Sequence, residues 1–232
     1  MIAKVLLTSW MTVIIVAAFW YAHAAVGFPG ETSRILFFHV PQAWVATLSF
    51  LLSMIASCIY LAKRKVQADN FALSAAELGF LFCILATASG SIFAKAAWGS
   101  FWNWDPRETS IVILLMIYGA YFALRSAVAD PEKRRVFAAV YAILAFVTVP
   151  FLVFVVPRIT ASLHPENTMN PARPGMDPKT LKVFLGSLIA YTGLFIWLLR
   201  LRLRLLNLEG MQEPKFDRSA IKQEEKLEPN SQ

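Results

Sequence analysis

Residues 136–156 read VFAAVYAILAFVTVPFLVFVV, an apolar run without a single charged side chain. As a helix it rises about 30 Å, the thickness of a bilayer's hydrocarbon core. It is apolar all round rather than along one stripe, which suits lipid or a bundle interior and not the surface of a water-soluble domain. Five further runs of this kind lie around it: Val5 to Val26, Val40 to Ala62, Phe71 to Phe93, Ser110 to Leu124 and Val183 to Leu199. The run starting at Ser110 is short as drawn and is expected to continue past Arg125 to Val128, the arginine snorkelling to the interface. The chain therefore reads as an all-α integral membrane protein, a bundle of six transmembrane helices.

Composition agrees. Of 232 residues, 57% are hydrophobic and 16% charged, against about 45–50% and about 25% in soluble domains. Six spans leave little chain for a second globular domain, so residues 1–205 form the membrane domain. Residues 206–232, charged and rich in Gln, form a tail expected to be disordered. The net charge of +7 would suit a nucleic-acid partner, but topology accounts for it. With the N-terminus on one side of the membrane, 15 of the 22 Lys and Arg fall on that same side. The positive-inside rule then places both termini in the cytoplasm and three loops outside. Ala22-His23-Ala24 imitates a signal-peptide cleavage site, yet the run before it is longer than the usual h-region and ends in Trp20 and Tyr21, as an interfacial anchor does. Cys58 and Cys83 lie in separate apolar runs with no Cys-x-x-Cys, which argues against a disulfide framework, a zinc site or covalently attached haem.

The outer loops carry the unusual residues. The first ends in Phe37-Phe38-His39-Val40-Pro41; with Pro41 in the first turn of the second span, His39 should stand just before it at the outer surface. The second reads Trp98-Gly99-Ser100-Phe101-Trp102-Asn103-Trp104-Asp105-Pro106-Arg107-Glu108-Thr109, three of the chain's seven Trp among them. A membrane belt needs one or two such rings per helix end; this density makes an apolar platform for a planar ligand an equal alternative. Asp105, Pro106 and Glu108 fit N-cap, N1 and N3 of a capping box. The third loop has five prolines, Pro157, Pro165, Pro171, Pro174 and Pro178, and contains His164; it reads as a lid or docking loop. His23 is taken as interfacial. Glu77, a carboxylate within the third span, is expected to pair with Lys63 or Lys65.

Two external histidines flanking a tryptophan-rich loop suit haem. Its iron takes axial imidazoles, its faces seek apolar support, and its propionates seek cations such as Arg34, Arg107 or Arg158. One iron held by His39 and His164 over Trp98, Trp102 and Trp104 is the resulting expectation.

The stretch from Trp98 to Asp105 resembles the tryptophan-rich (WWD) signature of the haem-handling proteins of cytochrome c assembly. Together with the six spans, Leu36-Phe37-Phe38-His39-Val40-Pro41 and Leu163-His164, it is similar to the cytochrome c maturation protein C (CcmC) family, also called haem exporter protein C. The resemblance covers Val5 to Leu199. It implies a non-enzymatic protein that binds haem b at the periplasmic face of the bacterial inner membrane and delivers it for c-type cytochrome biogenesis. The implied partners are a periplasmic haem chaperone of the maturation E type, ABC-transporter subunits of the A and B types, a small single-span subunit of the D type, and membrane lipid. The family's axial ligands map onto His39 and His164, and its signature onto Trp98, Gly99, Trp102, Trp104 and Asp105. The ending Asp105-Pro106-Arg107-Glu108-Thr109 is closer to the larger synthases of the superfamily, so a subunit of a cytochrome c synthase (haem lyase) is the alternative. A quinone-linked b-type cytochrome needs histidine pairs inside the bundle, and the three histidines here include none at mid-span.

Overall fold

The computed structural model describes residues 2–24, 30–164 and 177–212, the last four by backbone alone. All regular structure among them is helical, and six helices are long and apolar enough to cross a membrane. They are α1 (Ile2–Trp20), α2 (Leu36–Lys63, preceded by a 3₁₀ turn at Gly30–Ile35), α3 (Val66–Trp98), α4 (Pro106–Ala127), α5 (Pro131–Pro150) and α7 (Pro178–Gln212). Helix α5 runs on through a π turn at Phe151–Val155 into a last helical turn, α6 (Val156–Ile159). Helix α7 passes through the boundary expected at residue 206; residues 213–232 of the expected tail lie outside the described residues.

Three helices open on the same dipeptide. Asp105-Pro106, Asp130-Pro131 and Asp177-Pro178 each place a carboxylate over the first free N–H groups and a proline where an N–H would have no partner. Asp105 accepts from Arg107 N–H at 2.9 Å, Asp130 from Lys133 N–H at 2.8 Å, and Asp177 from Lys179 N–H at 3.0 Å. At the start of α4 the capping box is complete. Arg64, left-handed at φ 53°, ends α2 and turns the chain directly into α3.

Helix α2 is the hub, packing against α3, α5 and α7, while α4 closes on α3 and α5. Close approach of α2 and α3 depends on Gly79: a Cβ there would sit 2.6 Å from the Phe50 ring. Phe50 in turn stacks on Tyr118 of α4 with ring centroids 3.6 Å apart. Small residues at contact points are how helices associate where lipid removes the hydrophobic drive between them. Helix α1 lies on α7 in the same manner, Ile14 over Gly186 and Leu7 over Gly193, and Trp10 Nε1 donates to the Gly186 carbonyl at 3.0 Å.

Three local expectations are corrected. Helix α2 begins at Leu36, not at Pro41, so His39 lies inside its first turns and Pro41 is an interior proline. Pro41 has no N–H for the Phe37 carbonyl four residues back; the hydroxyl of Ser187 on α7 donates to that carbonyl instead, which makes the proline tolerable. Arg125 does not snorkel outward. It turns in and grips Asp69 of α3 with two bonds of 2.8 and 2.9 Å, the side chains being 12% and 4% exposed. Arg135 of α5 stands 3.8 Å from the same carboxylate. Glu77 pairs with Arg202 of α7 at 2.6 and 3.0 Å, not with Lys63 or Lys65, thereby joining α3 to α7.

Breaking a buried pair from one side costs about 3–5 kcal/mol because the surviving charge stays buried. Asp69→Ala should therefore lower the thermal midpoint of the detergent-purified protein clearly. Glu77→Ala should lower it less, because that pair is about a third exposed on both sides, 32% and 30%. Equal midpoints for the two variants would contradict this ranking.

Candidate functional site

At the end of the bundle away from Asp69, the N-terminal turns of α2 and α4, the C-terminal half of α3 and the π turn with α6 enclose a cavity of about 400 Å³. That is within the range of about 300–1,000 Å³ typical of ligand pockets. His39 and His164 both line it, as do Trp102, Arg107, Glu108 and Arg158. The walls are otherwise mostly apolar, with Ile35, Leu36, Val40, Ile111 and Leu152 among them.

The π turn falls between Pro150 and Pro157, neither of which can donate a backbone hydrogen bond. An inserted π turn re-aims the side chains of the helix that carries it, and here Leu152, Val153 and Phe154 of that turn line the cavity.

His39 projects from α2 toward α3. Its Nδ1 lies 3.1 Å from the Ser89 hydroxyl, which itself donates to the Leu85 carbonyl at 2.8 Å. That hydroxyl's proton being so used, it accepts Nδ1–H. The ring fits because residue 90 is glycine: a Cβ there would be 2.9 Å from His39 Cε1.

His164 is held differently. Its Nδ1 lies 2.9 Å from Asp105 Oδ1, and the Asp105 side chain is fully buried. The same carboxylate accepts from Arg107 N–H, from the Ser162 hydroxyl at 2.8 Å and from Leu163 N–H at 2.6 Å. Burial pushes the Asp105 carboxyl up, but these hydrogen bonds outweigh it and leave the group below its ordinary range. It is thus an ionised acceptor, and the proton between it and His164 sits on the imidazole Nδ1. Burial, only partly opposed by the Asp105 charge and aided by Arg107, brings His164 down to about 4. Both rings are therefore tied at Nδ1, and His39 also bonds the Ala86 backbone. A neutral imidazole with a free Nε2 is the form that ligates a metal.

The three tryptophans do not make one flat platform. Trp98 ends α3 and meets the His164 ring edge-on at 4.9 Å, backed by Phe93 at 5.3 Å. Trp102 lines the cavity; Trp104, left-handed at φ 56° and 77% exposed, stands nearly perpendicular to it at 83°. Gly99, at φ 86°, is the left-handed residue that terminates α3 and does not line the cavity. Of the cations, Arg107 and Arg158 are at the cavity, whereas Arg34 is engaged with Glu31 and the Ala18 carbonyl. Glu108 closes the capping box with Oε2, while its buried Oε1 has no partner among the described residues. His23 is exposed and lies 3.4 Å from Asp177, away from the cavity. Ser89, Gly90 and Ser162 are site residues that sequence reasoning missed. The run of small residues from Thr87 to Ser91 inside an apolar span was the available signal.

The profile of the Heme exporter protein C family matches residues 1–215. The chain belongs to the haem exporter protein C family. Among its relatives, Heme exporter protein C of Bradyrhizobium diazoefficiens is 35% identical over 73% of this chain and 64% of its own length. The protein of the same name from Paracoccus denitrificans is 38% identical over 45% of this chain and 43% of its own. Cytochrome c biogenesis protein CcsA of Oenothera argillicola is 32% identical over 48% of this chain and 34% of its own. The chain thus spans less than two thirds of the length of each. Family membership and the six apolar helices together make it a multi-pass membrane protein.

Three outcomes follow from this geometry in the haem exporter C chain. With a folded value of about 4 against about 6.5 in an unfolded chain, His164 stays neutral when unfolded chain already takes up a proton. Stability is therefore lost as pH falls from about 6.5 to about 4, and the lowered Asp105 carboxyl acts in the same sense. Nitrogen-15 NMR of ring-labelled histidine should show His164 as the neutral Nδ1–H tautomer at pH 6; a doubly protonated ring there would contradict the geometry. Gly90→Ala should displace the His39 ring, read as a shift of its ring-nitrogen resonances, with little change in thermal midpoint.

Proposed function

We propose that this chain holds haem b between His39 and His164 and hands it on for c-type cytochrome biogenesis, a transport and handling role rather than catalysis. The observation that carries this reading is that two histidines 125 positions apart in sequence line one cavity, each anchored at Nδ1. Haem is the substrate. The apolar wall would cover its faces, with Trp102 at the cavity and Trp98 bracing His164 from behind. Arg107 and Arg158 are the cations for its propionates.

The excess of Lys and Arg on the side of both termini supports a cytoplasmic location for those termini. The cavity then opens at the periplasmic face of the bacterial inner membrane, with the chain after α7 in the cytoplasm. Delivery to a periplasmic haem chaperone, in company with ABC-transporter subunits and a small single-span subunit, fits a site at that face. The second reading, a subunit of a cytochrome c synthase, is favoured by the match to the relative named CcsA. The three histidines of the chain argue for handling, since none is left at mid-span for a second haem.

The test is the visible spectrum of the detergent-purified protein, oxidised and reduced. The wild type should show low-spin haem with two imidazole ligands. His39→Ala and His164→Ala should each lose that signature, and the double variant should retain under a tenth of the haem. Wild-type occupancy with an unchanged spectrum in both single variants would overturn the ligand assignment.

A further inference from the structure

The two histidines are held by unlike groups, and the difference has a direction. His164 donates Nδ1–H to a carboxylate, and that carboxylate accepts three further hydrogen bonds, from Arg107 N–H, the Ser162 hydroxyl and Leu163 N–H. Among the described residues His39 meets only neutral partners, the Ser89 hydroxyl at 3.1 Å and the Ala86 backbone. A carboxylate behind a ligating imidazole fixes its orientation and raises its basicity, and losing such a partner typically costs about 10–100-fold in metal affinity. A serine hydroxyl places no negative charge behind the ring. The segment that carries His164 is also fastened, since Ser162, Leu163 and His164 all bond one carboxylate that caps α4.

Resting on the haem reading above, we propose that the axial ligands are unequal: His164, backed by Asp105, stays on the iron, and His39, backed by Ser89, is the ligand that lets go when haem leaves. The step is the rupture of the iron–Nε2 bond of His39, its electron pair remaining on the imidazole, with no electron transferred. Asp105 is then a positioning residue acting through His164, beyond its role in starting α4. On departure, haem would be held from the His164 side, with the face toward His39 open to an incoming ligand from the acceptor.

Carbon monoxide tests the order. Added to the haem-loaded, dithionite-reduced full chain, it displaces the weaker ligand; photolysis then leaves five-coordinate iron whose iron–histidine stretch in resonance Raman reports the remaining histidine. That stretch should fall in Asp105→Asn, where a neutral acceptor replaces the carboxylate and asparagine still caps the helix. It should be unchanged in Ser89→Ala. The stretch of ferrous His39→Ala should match the wild-type photoproduct, and that of His164→Ala should not, a comparison that needs no change at Asp105. A stretch that follows Ser89→Ala, or a wild-type photoproduct that matches His164→Ala, would reverse the order; a stretch indifferent to both partners would overturn the inequality. Either result alongside a bis-histidine wild-type spectrum overturns the ligand order alone, whereas a wild type without that spectrum overturns the haem reading with it.

Discussion

The carboxylate of Asp105 is where three parts of the structure meet. Its side chain is buried, and an ionised carboxylate in such a place persists only when its lone pairs are satisfied. Four donors do so: the Arg107 N–H of the helix it starts, the Ser162 hydroxyl, the Leu163 N–H and the His164 ring. The start of α4, the course of the chain after α6 and the orientation of His164 are consequently one problem with one solution. Glu108 completes it from the other side by accepting the N–H groups of Asn103 and Asp105, which holds the tryptophan-rich turn against the same helix end.

Departures from regular helix gather around the cavity. Pro41 interrupts the bond ladder of α2, the π turn lies between Pro150 and Pro157, and Gly90 replaces a side chain where the His39 ring needs room. Each creates space or redirects side chains at a helix end, and each unmet backbone group needs a substitute partner in a medium without water. Ser187 supplies one for Phe37. The opposite end of the bundle is organised by charge, with Asp69 gripped by Arg125 and approached by Arg135, and Glu77 gripped by Arg202. These pairs join α3 to α4, α5 and α7, so the end away from the cavity is pinned while the cavity end carries the irregularity.

The tryptophan-rich loop illustrates how similar residues acquire different work. Trp98 belongs to α3 and braces a histidine, Trp102 faces the cavity, and Trp104 projects from a left-handed backbone position. Gly99 sets this divergence, because its left-handed conformation ends α3 and turns the chain away from the helix axis. A single shared aromatic plane was the simplest expectation; the observed interplanar angle of 83° between Trp102 and Trp104 replaces it with a corner.

Hydropathy along the chain was enough to determine six spans, because an apolar run of sufficient length has no other stable home and its signal is carried by neighbours in sequence. The Asp105-Pro106 start and capping box of α4 were legible for the same reason, since the partners of the box lie within four residues. Sequence also singled out His39, His164 and the Trp98–Asp105 stretch as chemically unusual. What only the tertiary structure decided is which distant groups meet. Arg125 looked like an interfacial arginine because its partner Asp69 is on another helix; Glu77 looked like the neighbour of Lys63 because Arg202 is 125 residues on; Pro41 looked like a helix start because Ser187, which makes an interior proline acceptable, belongs to α7. The partners of the two histidines, Ser89 and Asp105, are of this kind as well. Helix register and crossing angle are set by the packing of many side chains at once, so no local stretch of sequence contains them.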